Sequence, residues 1–180
     1  MPRYVALLRG INLGGHTVKM DRLKQLFEEL GFKKVETFIA SGNVIFESAS
    51  RNTAALEKKI AAHLEKSLGF PAATFLRTDQ ELARALEHEA LDDPESHSVY
   101  IAFLFESPSK ASHEKLMGHR TKNDEFHVRE REVYWLCRTP RMSDSPFFKV
   151  GIEKALGMKA TVRNATTVAK LVEKYPWKSR

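Results

Sequence analysis

The stretches Tyr4–Leu8 (YVALL) and Val99–Phe105 (VYIAFLF), each the first strand-like segment of its half of the chain, are apolar at every position. A strand with one face in water alternates apolar and polar residues, whereas a strand covered on both faces does not. Each stretch therefore reads as a strand buried on both sides. Helices of the same unit can cover one face of a sheet, and something else must cover the other. The simplest candidate is the other half of the chain. RNA-recognition domains leave one sheet face open to stack bases on it, and here that face is expected to be occupied.

The residues between and after these strands show the same order twice. Leu23, Leu26, Phe27 and Leu30 recur at helical spacing, with Asp21 in the first turn and Gly31 just past the end. Residues 35–40 and 43–47 read as strands separated by Ser41-Gly42, a hairpin signal. Asn52 caps a second helix with the stripe Leu56, Ile60, Leu64 and Leu68, ending at Gly69, and residues 73–77 form a short strand. This is the β-α-β-β-α-β order of a ferredoxin-like unit, the split βαβ. Thr78 and Glu81 form a capping box that opens a linking helix, and residues 90–97 read as a loop. The pattern then restarts. A helix is expected over 110–118, a hairpin over 126–137 around Arg129-Glu130-Arg131, and a helix after Ser145-Pro146 carrying Phe148, Ile152, Ala155 and Leu156. A strand over 160–162 and a final helix over 166–175 complete it. The expected fold is α+β: two ferredoxin-like (βαββαβ, α/β-plait) units packed together, with linking and C-terminal helices. The expected division is 1–78, a linker over 79–97, and 98–180. The repeat lies in element order, not in visible sequence identity.

A chain of 180 residues with 42% hydrophobic and 29% charged residues suits a soluble globular protein. Its apolar runs fall far short of the roughly 20 residues of a membrane span. MPRYVALL lacks the pattern of a signal peptide, and the one cysteine, Cys137, cannot form an intramolecular disulfide. A reducing cytoplasm is the expected compartment. The net charge of +6 is unevenly placed. Residues 138–180 hold ten Lys or Arg and three Asp or Glu, against 19 and 20 in the rest. That basic quarter reads first as a solvated surface, with contact with an anion such as nucleic acid as the alternative.

In the expected topology the first two strands run parallel, with the third antiparallel between them. The segment Arg9-Gly10-Ile11-Asn12-Leu13-Gly14-Gly15 then lies beside Ser41-Gly42-Asn43 on one rim. Glycines let backbone N–H groups approach a ligand, and such concave turns bind anions. Arg9 offers a planar fork for phosphate or carboxylate. Asn12, Ser41 and Asn43 are donors on the same rim, and Lys19 precedes a helix N-terminus. The candidate ligand-binding residues are thus Arg9, Asn12, Gly14, Gly15, Lys19, Ser41, Gly42 and Asn43. The glycine spacing is neither the G-x-G-x-x-G of dinucleotide folds nor a P-loop. Taken separately, each loop is better read as a plain turn, and it is their convergence on one rim that brings the ligand reading level with that one.

LLRGINLGG, Met20 before the helix, Gly31-Phe32, SGNVIF and, near the C-terminus, ATVRNATTVAKL together resemble the bacterial family called domain of unknown function 1697 (DUF1697). The resemblance covers nearly the whole chain. It implies two ferredoxin-like units and no established activity. The family often has Trp and Asn after the Arg-Asn pair, where this chain has Ala165 and Thr166.

Asn164 reads first as a plain helix cap; the functional reading adds Arg163, Asn164 and Thr167 to the candidate ligand-binding residues of an anion site. The seven histidines form no H-x-x-x-H or H-E-x-x-H pair, so neither a metal nor another cofactor is expected. Cys137 reads as a buried apolar residue, and Ser41 lacks the G-x-S-x-G setting of a nucleophile. Asp92-Asp93 sit beside a proline in a loop and read as solvated. Three functions stay open: a binding module for a phosphate-bearing ligand (nucleic acid or nucleotide-like), a small enzyme using the same rim, and a protein-interaction module with structural glycine loops. No general base is evident, which weighs against the second.

Overall fold

The computed structural model describes residues 1–178. The chain divides into two compact units, one made of Met1–Leu82 with Trp177 and Lys178, the other of Ala83–Pro176.

The first unit contains β1 (Arg3–Leu8), α1 (Met20–Glu29), β2 (Lys33–Thr37), β3 (Asn43–Glu47), α2 (Thr53–Leu68) and β4 (Thr74–Thr78). Its sheet is antiparallel in the order β2-β3-β1-β4. The helix stripes read from sequence bury Leu23, Leu26 and Phe27 from α1 and Leu56, Ile60 and Leu64 from α2 against Tyr4, Ala6, Leu8, Val44 and Phe46. Asn52 caps α2 by accepting from the Ala55 amide at 3.0 Å. The capping box is reciprocal: the Thr78 amide donates to Glu81 Oε2 at 2.8 Å, and the Glu81 amide to Thr78 Oγ1 at 3.1 Å. It opens α3 (Asp79–Ala85). The opposite sheet face is as dry as the first, because Val5, Leu7, Ile45, Phe75 and even Arg77 are buried. This is the both-faces-covered sheet that YVALL implies.

The second unit repeats the arrangement with β5 (Ser98–Leu104), α4 (Lys110–Met117), β6 (Asp124–Arg129), β7 (Glu132–Cys137), α5 (Ile152–Leu156) and β8 (Ala160–Asn164), and adds α6 (Ala165–Lys174). Its strand order is β6-β7-β5-β8. The registers match too: Tyr4 faces Thr78 and Val5 faces Arg77 in one sheet, as Tyr100 faces Asn164 and Ile101 faces Arg163 in the other. On one face Ala102, Leu104, Leu116, Trp135, Phe147 and Ile152 form the core. Within it the buried Asp124 carboxylate accepts from Trp135 Nε1 at 2.8 Å and from Ser145 Oγ at 2.6 Å. On the other face the Tyr134 hydroxyl donates to the Ala85 carbonyl at 2.6 Å, and the His88 ring stacks on Tyr134 with centroids 4.2 Å apart.

Three expectations need correction. The β2–β3 connection is a five-residue loop over 38–42, not a tight turn at Ser41-Gly42, because Ile39 takes a left-handed φ of 58° and ends the strand early. The single helix expected after Ser145-Pro146 is a 3-10 turn (Pro146–Lys149) followed by α5, interrupted where Gly151 has φ 76°. That break leaves Phe148 exposed and buries Phe147 instead. The loop over 90–97 opens with a 3-10 turn, Glu89–Asp92. Among the described residues no helix is long and apolar enough to cross a membrane.

Candidate functional site

β1 ends at Leu8 and β2 at Thr37, while β3 and β4 begin at Asn43 and Thr74. Antiparallel pairing therefore gathers the loops 9–19, 38–42 and 69–73 at one end of the first sheet. The loops are tied together. The Leu8 amide donates to the Gly42 carbonyl and the Arg9 amide to the Ala73 carbonyl, each at 2.9 Å. Asn12 is the clasp. Its Nδ2 donates to the Ala40 carbonyl at 2.5 Å, and its Oδ1 accepts from the Val18 amide at 2.8 Å. It does this from a left-handed φ of 57°, a conformation asparagine tolerates better than most residues. Its backbone N–H also bonds the His16 carbonyl at 2.8 Å, which closes the 12–18 loop on itself.

The convergence expected from sequence is present, but its residues divide into two sets. Asn12 and Asn43 spend their side chains inside the protein. Asn43 is fully buried, and its Nδ2 donates to the Phe38 carbonyl at 2.9 Å and to Ser41 Oγ at 3.0 Å. Neither amide is the outward donor that the sequence suggested. Gly42 is structural as well: with φ 78°, an added Cβ would lie 3.2 Å from the Cβ atoms of Leu8 and Ile11. Arg9, Gly14, Gly15, Lys19 and Ser41 are exposed. Among the described residues, the amides of Gly14 and Gly15 donate to no other group. Lys19 occupies the N-cap of α1 and supplies no side-chain cap. The first-turn amides of that helix therefore keep unused donors at the positive end of its dipole, with Asp21 as the acidic residue of the first turn.

Sequence reading passed over three features of this rim. Leu13 is 69% exposed and Ile39 50% exposed, an apolar pair on the two clasped loops. A β-branched residue at φ 58° costs roughly 1–2 kcal/mol, and the half-exposed Ile39 side chain regains little of it by packing. His16 stacks on Phe70 with centroids 4.2 Å apart, which ties the tip of the first loop to the 69–73 loop. The alternation that placed Ile39 in a strand could not show its φ, and no local pattern pairs residue 16 with residue 70.

The C-terminal candidates lie in the second unit and do not converge on one another. Arg163 and Asn164 are neighbours on a strand, so their side chains leave opposite faces. Arg163 is buried, and its Nη1 donates to Thr161 Oγ1 at 2.7 Å and to the Val162 carbonyl at 3.0 Å. Burial pushes its pKa down to about 10, so it remains a cation at neutral pH. Asn164 Oδ1 caps α6, accepting from the Thr166 amide at 2.9 Å and from the Thr166 hydroxyl. Thr167 is half-buried in the first turn of the same helix. Among the described residues, no group of three or more His, Cys, Asp or Glu side chains is placed to hold a metal.

A family model described as protein of unknown function (DUF1697) matches residues 1–134. No curated protein matches the chain. Among solved structures, the conserved bacterial protein SP0830 from Streptococcus pneumoniae superposes with a TM-score of 0.76 at 24% sequence identity, covering 97% of this chain and 98% of that one. A likeness at that identity is a statement about the fold.

Proposed function

The chain belongs to the DUF1697 family of proteins of unknown function, and we propose that it is a binding module for a phosphate-bearing ligand, nucleic acid or nucleotide-like, held at the rim of the first unit. The observation that carries this reading is the start of α1. It opens without a side-chain cap, with Lys19 at the N-cap, from a loop that Asn12 clamps in place and whose Gly14 and Gly15 amides are unspent. Unused helix amides, a positive dipole end and an adjacent cation are together the elements of an anion site. Leu13 and Ile39 add exposed apolar surface on the same loops for the uncharged part of such a ligand. Asn12, Gly42 and Asn43 hold the frame, while Arg9, Gly14, Gly15 and Lys19 meet the ligand.

The test is binding of a fluorescent single-stranded oligonucleotide and a fluorescent nucleoside triphosphate at two salt concentrations. Lys19→Ala is compared with wild type and with Lys66→Ala, an exposed lysine of α2. Lys19→Ala is expected to weaken binding about tenfold, the scale of one hydrogen bond to a charged group. Binding should also fall with salt for the oligonucleotide. Absence of binding of both probes at low salt, or equal losses in the two lysine variants, would overturn the assignment.

A further inference from the structure

The matched registers of the two sheets expose a difference between them. In the first unit, Arg3 precedes Tyr4 and Asp79 follows Thr78, the residue that Tyr4 faces, and the two form an ion pair at 3.7 Å. In the second unit, Tyr100 faces Asn164, so the corresponding positions are Val99 and Ala165. The ion pair is replaced by two small apolar residues, and at that place the second unit has a groove of about 420 Å³.

The geometry of the groove follows from the strands. β5 begins at Ser98, but its pairing with β8 begins only at Tyr100, where β8 ends and α6 turns away. Ser98 and Val99 pair with β7 on one side and have no strand partner on the other. The open side is walled by Leu86, Leu91, Val99, Ala165 and Ala169. Six polar side chains also line it: Asp93, Ser96, His97, Ser98, Asn164 and Thr166, the last of which donates its hydroxyl to Asn164 Oδ1. Among the described residues, the His97 ring, the Ser98 hydroxyl and the Asn164 Nδ2 bond to no other group, since Asn164 caps α6 through its oxygen alone. The remaining polar lining is engaged within the protein. Ser96 Oγ donates to Asp93 Oδ2 at 2.5 Å, and Arg138 stands 3.6 Å from the same carboxylate oxygen. No lysine or arginine lines the groove, and its one carboxylate already faces a cation.

We propose that this groove is a second binding site, for one small uncharged molecule with a flat apolar body and a hydrogen-bond-accepting edge, of the aromatic carboxamide or heteroaromatic class. An apolar wall with a few converging donors is the usual make-up of a small-molecule pocket, and the volume lies within the range of such pockets. Asn164 Nδ2 can only donate and so calls for an acceptor on the ligand, while the Ser98 hydroxyl and the His97 ring can donate or accept. The absence of an unmatched charge disfavours an ionic one, which would be desolvated without a partner.

Three probes sharing one ring and differing in charge test this on the full chain: benzamide, benzoate and benzylammonium, each titrated while backbone amide resonances are recorded. Benzamide is expected to give saturable shifts confined to residues 96–99 and 164–169, with a dissociation constant in the millimolar range usual for a fragment. Ser98→Ala should weaken it about threefold, as the loss of one neutral hydrogen bond does. Two variants close the groove differently. Ala169→Trp fills it from an exposed position of α6. The double variant Val99→Arg, Ala165→Asp installs the first unit's ion pair. Both should abolish the shifts while resonances elsewhere stay in place. The proposal is overturned if benzamide gives no saturable shift, if its shifts survive in both closed variants, or if either ion binds as tightly as benzamide.

Discussion

Replacing Asn12 separates a built rim from two loops that happen to lie together. Asn12→Ala removes the bond to the Ala40 carbonyl and the bond from the Val18 amide, each worth about 1 kcal/mol net. It also places an alanine at φ 57°, which costs about 1 kcal/mol beyond what asparagine pays there. The expected loss is about 3 kcal/mol. Asn12→Gly removes the same bonds without the conformational penalty, so it should lose about 2 kcal/mol. Urea unfolding followed by circular dichroism measures both values, with the midpoint shifting at constant slope. Amide hydrogen exchange gives the local readout: Val18 should lose protection in both variants, because its acceptor is gone. If both variants lose less than about 1 kcal/mol, or if Val18 keeps its protection in either, then Asn12 does not clamp the loops and the rim is not preformed, whereas equal losses in the two would refute the left-handed penalty alone.

Asp124→Ala strips the acceptor from two buried donors, Trp135 Nε1 and Ser145 Oγ, and should cost about 4 kcal/mol by urea unfolding; a loss under about 1 kcal/mol would mean that those donors find other partners. Gly42→Ala combines a left-handed φ with close contacts to Leu8 and Ile11, whereas Gly15→Ala meets only the conformational cost because nothing lies within 4 Å; thermal unfolding should rank the first well below the second, and equal melting temperatures would refute the packing argument. Burial holds the His88 pKa below its usual value, with His127 and Arg129 adding to the effect, and its neutral Nδ1 accepts from the Ala90 amide at 3.0 Å. A folded-state pKa below the unfolded 6.5 means that the unfolded chain binds the proton first, so this contribution is complete above pH 6.5 and declines as the pH falls from there toward the folded-state value. Stability of wild type minus that of His88→Ala, measured between pH 8 and pH 5, should shrink toward the acid end, and a difference that grows would reverse the assignment.

The fold was legible because its signals are local or periodic. Five consecutive apolar residues at the first strand, the stripes of α1 and α2, and the caps at Asn52 and Thr78–Glu81 each act within a few residues, and together they give the element order. The convergence at the rim followed from that order alone. The division of labour within the rim did not. Whether Asn43 faces a ligand or Phe38, and whether Asn12 is a donor or a clasp, depends on partners 28 residues away in one case and five in the other. Nothing in their spacing distinguishes the two uses. The strand does not run through Ile39, nor one helix through Gly151, for a related reason: composition carries a preference for φ but not its value at one residue. The exchange of an ion pair at Arg3 and Asp79 for Val99 and Ala165 became visible only when strand register aligned the two units. Identity between the halves is too low to show it unaided.

The placement of Trp135 has an optical consequence. The chain has two tryptophans, and residues 1–82 contain neither. Trp135 is 4% exposed, its indole N–H is held by a carboxylate, and Phe147 meets it edge-on at 5.2 Å between centroids. Trp177 is 44% exposed and emits as a solvated indole. The short-wavelength part of the intrinsic fluorescence therefore belongs to the second unit alone. Loss of order in the second unit can thus be watched by its own colour, without a label, while the first is perturbed by mutation or ligand.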